Sequence, residues 1–171
     1  TAASQAVSLT NRAGAIIADL WGEADNRTLW LHLDENPGAT SFADGSEAGR
    51  PGTCVSPTCP TAGEDGYIGP AARFDGADDV ISLGTVDQLG LHNSSFTAMA
   101  WVNGDAFGPG TAHTILGTDQ MATNVGLHLM VREGKPYMGF YANDTEGATT
   151  LSNGAWHHLV WRYDMSKVDT E

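Results

Sequence analysis

The sequence predicts an all-β fold, an antiparallel sandwich or barrel, on three observations. Apolar and polar side chains alternate with a period of two in segment after segment, the mark of half-buried strands. Glycine (21 residues) and proline (7 residues) recur between those segments. Tight turns use both, whereas each glycine inside a helix costs about 1 kcal/mol. Outside residues 15–21, no stretch sustains the helical period of about 3.6 residues. At 171 residues the chain is long enough to bury a core in one domain with an extension.

Residues 1–27 read as a linker or N-terminal extension ahead of a domain at 28–171. Within them, Ala15-Ile-Ile-Ala-Asp-Leu-Trp21 fits a linker, a first strand or one short helical turn. Alternation begins at Thr28–Asp34, where Leu29, Leu31 and Leu33 share one face and Trp30 and His32 the other. A Pro/Gly turn at 35–40 leads to a short strand at Ser41–Ala43. Residues 44–69 read as one long loop, a length that calls for a clip or a function. Short strands at Ala71–Phe74 and Val80–Leu83 flank the turn Asp75-Gly-Ala-Asp-Asp79. In Ser95–Val102, Phe96, Ala98, Ala100 and Val102 oppose Thr97, Met99 and Trp101. After Thr114–Leu116 comes a hairpin: Val125–Arg132 turns at Glu133-Gly-Lys135 and returns as Pro136–Ala142. The aromatic strand Trp156–Tyr163 is last, with His157 and His158 on opposite faces.

The formal charge is −13, from 21 acidic and 8 basic side chains. Nucleic acid is thereby disfavoured as a partner, because phosphate binding needs a basic face. No run of about 18 apolar residues is present to insert into a membrane. Cys54 and Cys59 are the only cysteines. No second cysteine pair or His-x₃₋₅-His spacing completes a zinc site, and Cys-x-x-Cys is absent. A structural disulfide follows, and with it an oxidising setting, secreted or at the cell surface.

Several fragments resemble successive signatures of laminin-G-like, concanavalin-type jelly rolls. They are Leu29-Trp-Leu-His-Leu-Asp-Glu35, Phe42-Ala-Asp-Gly-Ser46, Gly52-Thr-Cys54, Ala72-Arg-Phe-Asp-Gly-Ala-Asp-Asp79, Phe96-Thr-Ala-Met-Ala-Trp-Val102, Thr114-Ile-Leu116 and Asn153-Gly-Ala-Trp-His-His-Leu159. All seven occur in the family's order across Leu29–Tyr163. The resemblance implies an antiparallel β-sandwich of the concanavalin-like jelly-roll type. Family members continue beyond the Trp-His-His strand, so it also implies a sandwich incomplete at its C-terminus. Further domains or chain segments would complete it, and Glu171 would not be the natural end.

The same resemblance points to a calcium loop. Asp44 with Gly45 and Ser46 stands where relatives hold Ca²⁺, with Asp34 and Asp78 as further candidate ligands. Calcium takes six to eight oxygens at about 2.3–2.6 Å. The alternative for Asp44 is to cap its own turn, and the sequence leaves both open. For a glycan or an extracellular protein ligand, the candidate contacts are Trp30, Tyr137, Tyr141 and Trp161. Glycoside hydrolases on this fold carry paired carboxylates about 5–5.5 Å apart when retaining. Here the one Glu-x-Asp, Glu23-Ala-Asp25, lacks its second glutamate, and no catalytic site is assigned. Sequons occur at Asn26, Asn93 and Asn143.

The expected function is an extracellular carbohydrate- or protein-recognition or adhesion module of a larger multidomain protein, with Ca²⁺ as candidate aid, and no enzyme. The alternatives are a non-catalytic sugar-binding domain appended to a glycoside hydrolase or sialidase, and a structural spacer of a surface or filament protein.

Overall fold

A computed structural model describes the backbone of residues 6–10 and 14–22, and residues 27–120 and 122–167 throughout. In chain order the strands are β1 (Ala6–Thr10), β2 (Gly14–Gly22), β3 (Arg27–Leu31), β4 (Ser41–Phe42), β5 (Gly52–Thr53), β6 (Thr61–Asp65) and β7 (Pro70–Phe74). They continue as β8 (Val80–Thr85), β9 (Phe96–Asn103), β10 (Ala112–Thr118), β11 (His128–Arg132), β12 (Lys135–Gly139), β13 (Thr145–Glu146) and β14 (Trp156–Tyr163). One 3₁₀ turn, Met165–Lys167, is the only helical element among the described residues. No helix there is long and apolar enough to cross a membrane. The fold is all-β.

Two antiparallel sheets result. One has eight strands in the order β13-β12-β11-β10-β1-β8-β5-β4. The other has six, β14-β9-β2-β7-β6 with β3 also paired to β2. The segment read as a linker or extension thus supplies two strands. β1 lies between β10 and β8, and β2 between β9 on one edge and β7 and β3 on the other. The run at 15–21 has no clean alternation, and periodicity alone does not separate a short apolar strand from a helical turn.

Alternation then decides what is buried. Leu29, Leu31 and Leu33 from the β3 segment join Phe96, Ala98, Ala100 and Val102 of β9 and Leu159 and Trp161 of β14. Ile81 and Leu83 of β8, Ile115 of β10, and Leu129 and Val131 of β11 come from the other sheet, and all belong to one buried cluster. Truncating one such leucine typically costs about 2–5 kcal/mol. Side chains on the opposite face of each strand are therefore free for other work.

The region 44–69 is not one loop. β5 and β6 lie within it, with the disulfide Cys54–Cys59 between them. Its ring is tied to the sheets by Cys54 N–H to Thr40 C=O at 3.0 Å and Val80 N–H to Thr58 C=O at 3.0 Å. β5 is two residues long, and β6 buries only Ala62, so neither presents a readable apolar stripe. β12 ends at Gly139 rather than Ala142, because Tyr141 and Ala142 turn to positive φ (60° and 69°). That turn folds residues 140–144 back over the sheet.

Candidate functional site

The most elaborate polar arrangement lies on the eight-stranded sheet, around His128. Register pairs His128 on β11 with Gly117 on β10 and with Gly139 on β12. Directly paired residues point to the same face, so the imidazole stands between two strand positions that carry no side chain. Asp144, from the returning 140–144 segment, occupies the Gly139 side. A Cβ at 139 would lie 1.8 Å from Asp144 Oδ1, so only glycine admits it. On the other side Gly117 leaves the imidazole no side-chain neighbour from its own position, and a Cβ there would lie 3.1 Å from Thr114 Cγ2.

A chain of contacts runs out from this point. His128 Nε2 lies 3.2 Å from Asp144 Oδ1, and Nδ1 lies 3.1 Å from the Gly126 carbonyl oxygen. Both ring nitrogens face acceptors, so both contacts are hydrogen bonds only when each nitrogen carries a proton. Asp144 Oδ2 accepts from the Tyr137 hydroxyl at 2.8 Å, and the Tyr137 oxygen accepts from an Arg132 guanidinium N–H at 3.2 Å. Burial pushes the Tyr137 phenol above its ordinary value, as does its hydrogen bond to Asp144 and that group's charge, so it stays a donor. The Tyr137 ring stacks on the imidazole with centroids 5.8 Å apart, and Tyr141 meets it edge-on at 4.8 Å. The His128 side chain is only 12% exposed. Thr114, Thr118, Met130 and Glu133 help to line the groove, of about 620 Å³.

A second, smaller groove of about 260 Å³ lies on the six-stranded sheet, on the face away from the core. Trp30, His32 and Asp34 line one side, Met99 and Trp101 the floor, and His158 the other side. Ile68, 67% exposed, comes from the β6–β7 turn, where Tyr67 stacks on Trp101 with centroids 4.0 Å apart. Trp30 is braced by the Arg27 guanidinium, 3.9 Å from its ring centroid, and sits 4.5 Å from the His32 ring.

The ligand contacts expected from sequence therefore separate. Tyr137 and Tyr141 meet in the His128 groove, and Trp30 lines the other. Trp161 joins neither: it is 5% exposed and packs in the core, because it shares a face of β14 with Leu159. His128 and Asp144 went unnoticed in the sequence. The hairpin turn after Arg132 held the signal, since a pairing of Arg132 with Lys135 sets His128 opposite Gly139.

Asp44 adopts the turn-capping arrangement. Its Oδ1 accepts from the backbone N–H groups of Trp30 and Ser46, each at 2.9 Å. Its Oδ2 accepts from the Ser46 hydroxyl at 2.8 Å and the Arg50 N–H at 2.9 Å. Gly45 donates its N–H to the Trp30 carbonyl at 2.8 Å. Four donors use the carboxylate's accepting directions, so a cation would have to displace them. Burial pushes the Asp44 carboxyl up, but the hydrogen bonds from Ser46, Trp30 and Arg50 outweigh it and hold it below its ordinary value. Asp34 lies apart, at the second groove. Asp78 stands with Asp75 and Asp79, their nearest ligand atoms within 4.8 Å of one another. Burial raises the Asp79 carboxyl, and the charges of Asp75 and Asp78 add to this against one backbone hydrogen bond.

Asn93 and Asn143 are exposed, and Asn143 accepts from the Phe140 N–H at 3.0 Å. Asn26, Glu23 and Asp25 lie outside the described residues. Compared with known proteins, the chain matches no family model, no curated relative and no solved structure.

Proposed function

We propose that this chain is an extracellular carbohydrate-recognition module with a laminin-G-like, concanavalin-type jelly-roll sandwich, and that its ligand enters the groove over His128. Two antiparallel sheets contributing to one core support the sandwich reading. The Cys54–Cys59 disulfide supports an oxidising, extracellular setting. The observation that carries the functional reading is the ordered chain Arg132–Tyr137–Asp144–His128 beside a strand position, Gly117, that has no side chain. Sugar recognition uses fixed donors and acceptors next to aromatic rings, in a cleft whose shape is already formed. Here Arg132 retains further N–H donors, Thr114 offers a hydroxyl, and Tyr141 a ring edge.

Binding is favoured over hydrolysis for a specific reason. Both oxygens of Asp144 are held by neighbours, so this carboxylate orients the site rather than standing ready as a nucleophile. Calorimetry with hits from a glycan array tests the reading. Tyr137→Phe unlinks Arg132 from Asp144 and should weaken binding about tenfold, the scale of one hydrogen bond to a charged group. Gly117→Val, which forces a side chain in between His128 and Thr114, should abolish it. Unchanged affinity in both folded variants, or turnover of the bound glycan, would contradict the proposal.

A further inference from the structure

The geometry points to a second, independent ligand site on the six-stranded sheet, the groove between Trp30 and His158, suited to a short neutral oligosaccharide. The chain has six histidines. Four have polar partners: His92 with Asp87, His113 with the Ala106 carbonyl, His128 with Gly126 and Asp144, and His157 with Ser152. The two whose side chains have none among the described residues, His32 and His158, line this one groove. Asp34, also without a side-chain partner among the described residues, lines it too.

These groups do not converge on a metal. Among the described residues, only Asp75, Asp78 and Asp79 bring their ligand atoms close enough together. Trp30 and Val160 belong to one cross-strand row, running through residue 19 and Met99. That row crosses three strand spacings, about 14 Å, and the unpartnered polar groups flank it from side to side. A ligand meeting them all is therefore elongated, and it lies over Met99 and beside the Trp101 ring, on which Tyr67 stacks.

The chemistry of the lining selects its class. A neutral imidazole donates through one nitrogen and accepts through the other, which matches a hydroxyl; a carboxylate accepts twice, which matches a vicinal diol. Aromatic edges and a thioether between them match the apolar C–H face of a sugar ring. Among the described residues that line the groove there is no lysine or arginine, and Asp34 is one of them, so an anionic ligand is unsuited.

The test titrates the full chain with α- and β-linked trisaccharides of glucose, mannose and galactose. The readouts are tryptophan emission and NMR of the Trp30 and Trp101 indole N–H groups. Among the described residues no tryptophan lines the His128 groove, and the Trp30 and Trp101 signals therefore report on this site. At least one trisaccharide should shift both indole signals. His158→Ala and Asp34→Ala, both at exposed positions, should each weaken that binding about tenfold, and Tyr137→Phe should leave it unchanged. Three outcomes would overturn the proposal, whatever the His128 groove binds. The first is silence of both indoles across the panel. The second is a response lost in Gly117→Val but kept in His158→Ala. The third is concentration-dependent self-association that Ile68→Asp removes, with no response to sugar, which would assign the face to a protein contact.

Discussion

Asp44 gathers the N–H groups of Trp30, Ser46 and Arg50 and the Ser46 hydroxyl onto one carboxylate, and its lowered pKa makes that role measurable. Because the folded pKa lies below the unfolded value, about 3.9, the folded state binds fewer protons there. The stability this adds is present above that pH and is lost as pH falls through the lower folded value. Asp44→Asn removes the charge and replaces one acceptor with a donor, and should cost about 1–3 kcal/mol in urea unfolding at pH 7. It should also flatten the acid limb of stability against pH. If the four hydrogen bonds alone hold the loop, EGTA leaves the wild-type melting temperature unchanged; a fall on chelation that Asp44→Asn abolishes would place calcium at this loop. Trp161 makes a contrasting case, since its burial predicts that Trp161→Ala costs about 3–5 kcal/mol. Loss of sugar affinity at full stability would show that its ring faces a ligand instead.

At the scale of elements, long alternating segments were legible. β9 buries Phe96, Ala98, Ala100 and Val102, as its spacing predicts, and β14 coincides with the aromatic strand read from sequence. Strands with little apolar content were not: β5 spans two residues, and β13 is exposed throughout. The site followed the same division. Tyr137 and Tyr141 were legible as aromatics on a hairpin. Asp144 was not, because it reaches His128 only through the positive-φ turn at Tyr141 and Ala142 and the absence of a side chain at Gly139. β1 and β2 carry the strongest prediction at this scale, since each is paired along both edges. A chain beginning at Thr28 would expose the edges of β8, β9 and β10, which are paired with them. It should aggregate or lose its cooperative unfolding transition, as judged by circular dichroism. A truncated chain that melts like the full one would contradict the sheet order.

In the whole molecule, one core joins two sheets, and each sheet carries a groove on its other side. An acidic chain of charge −13 is a poor ligand for polyanions at large. On the proposed reading, recognition comes from fixed local geometry, and the His128 groove supplies an ordered set of such groups. Backbone and side-chain NMR, with a glycan-array hit added to the full chain, tests that claim most directly. The account predicts saturable shifts centred on Gly117, His128, Tyr137 and Tyr141, with the His128–Asp144 contact kept in the complex. Saturable binding whose shifts leave those four residues untouched would contradict it.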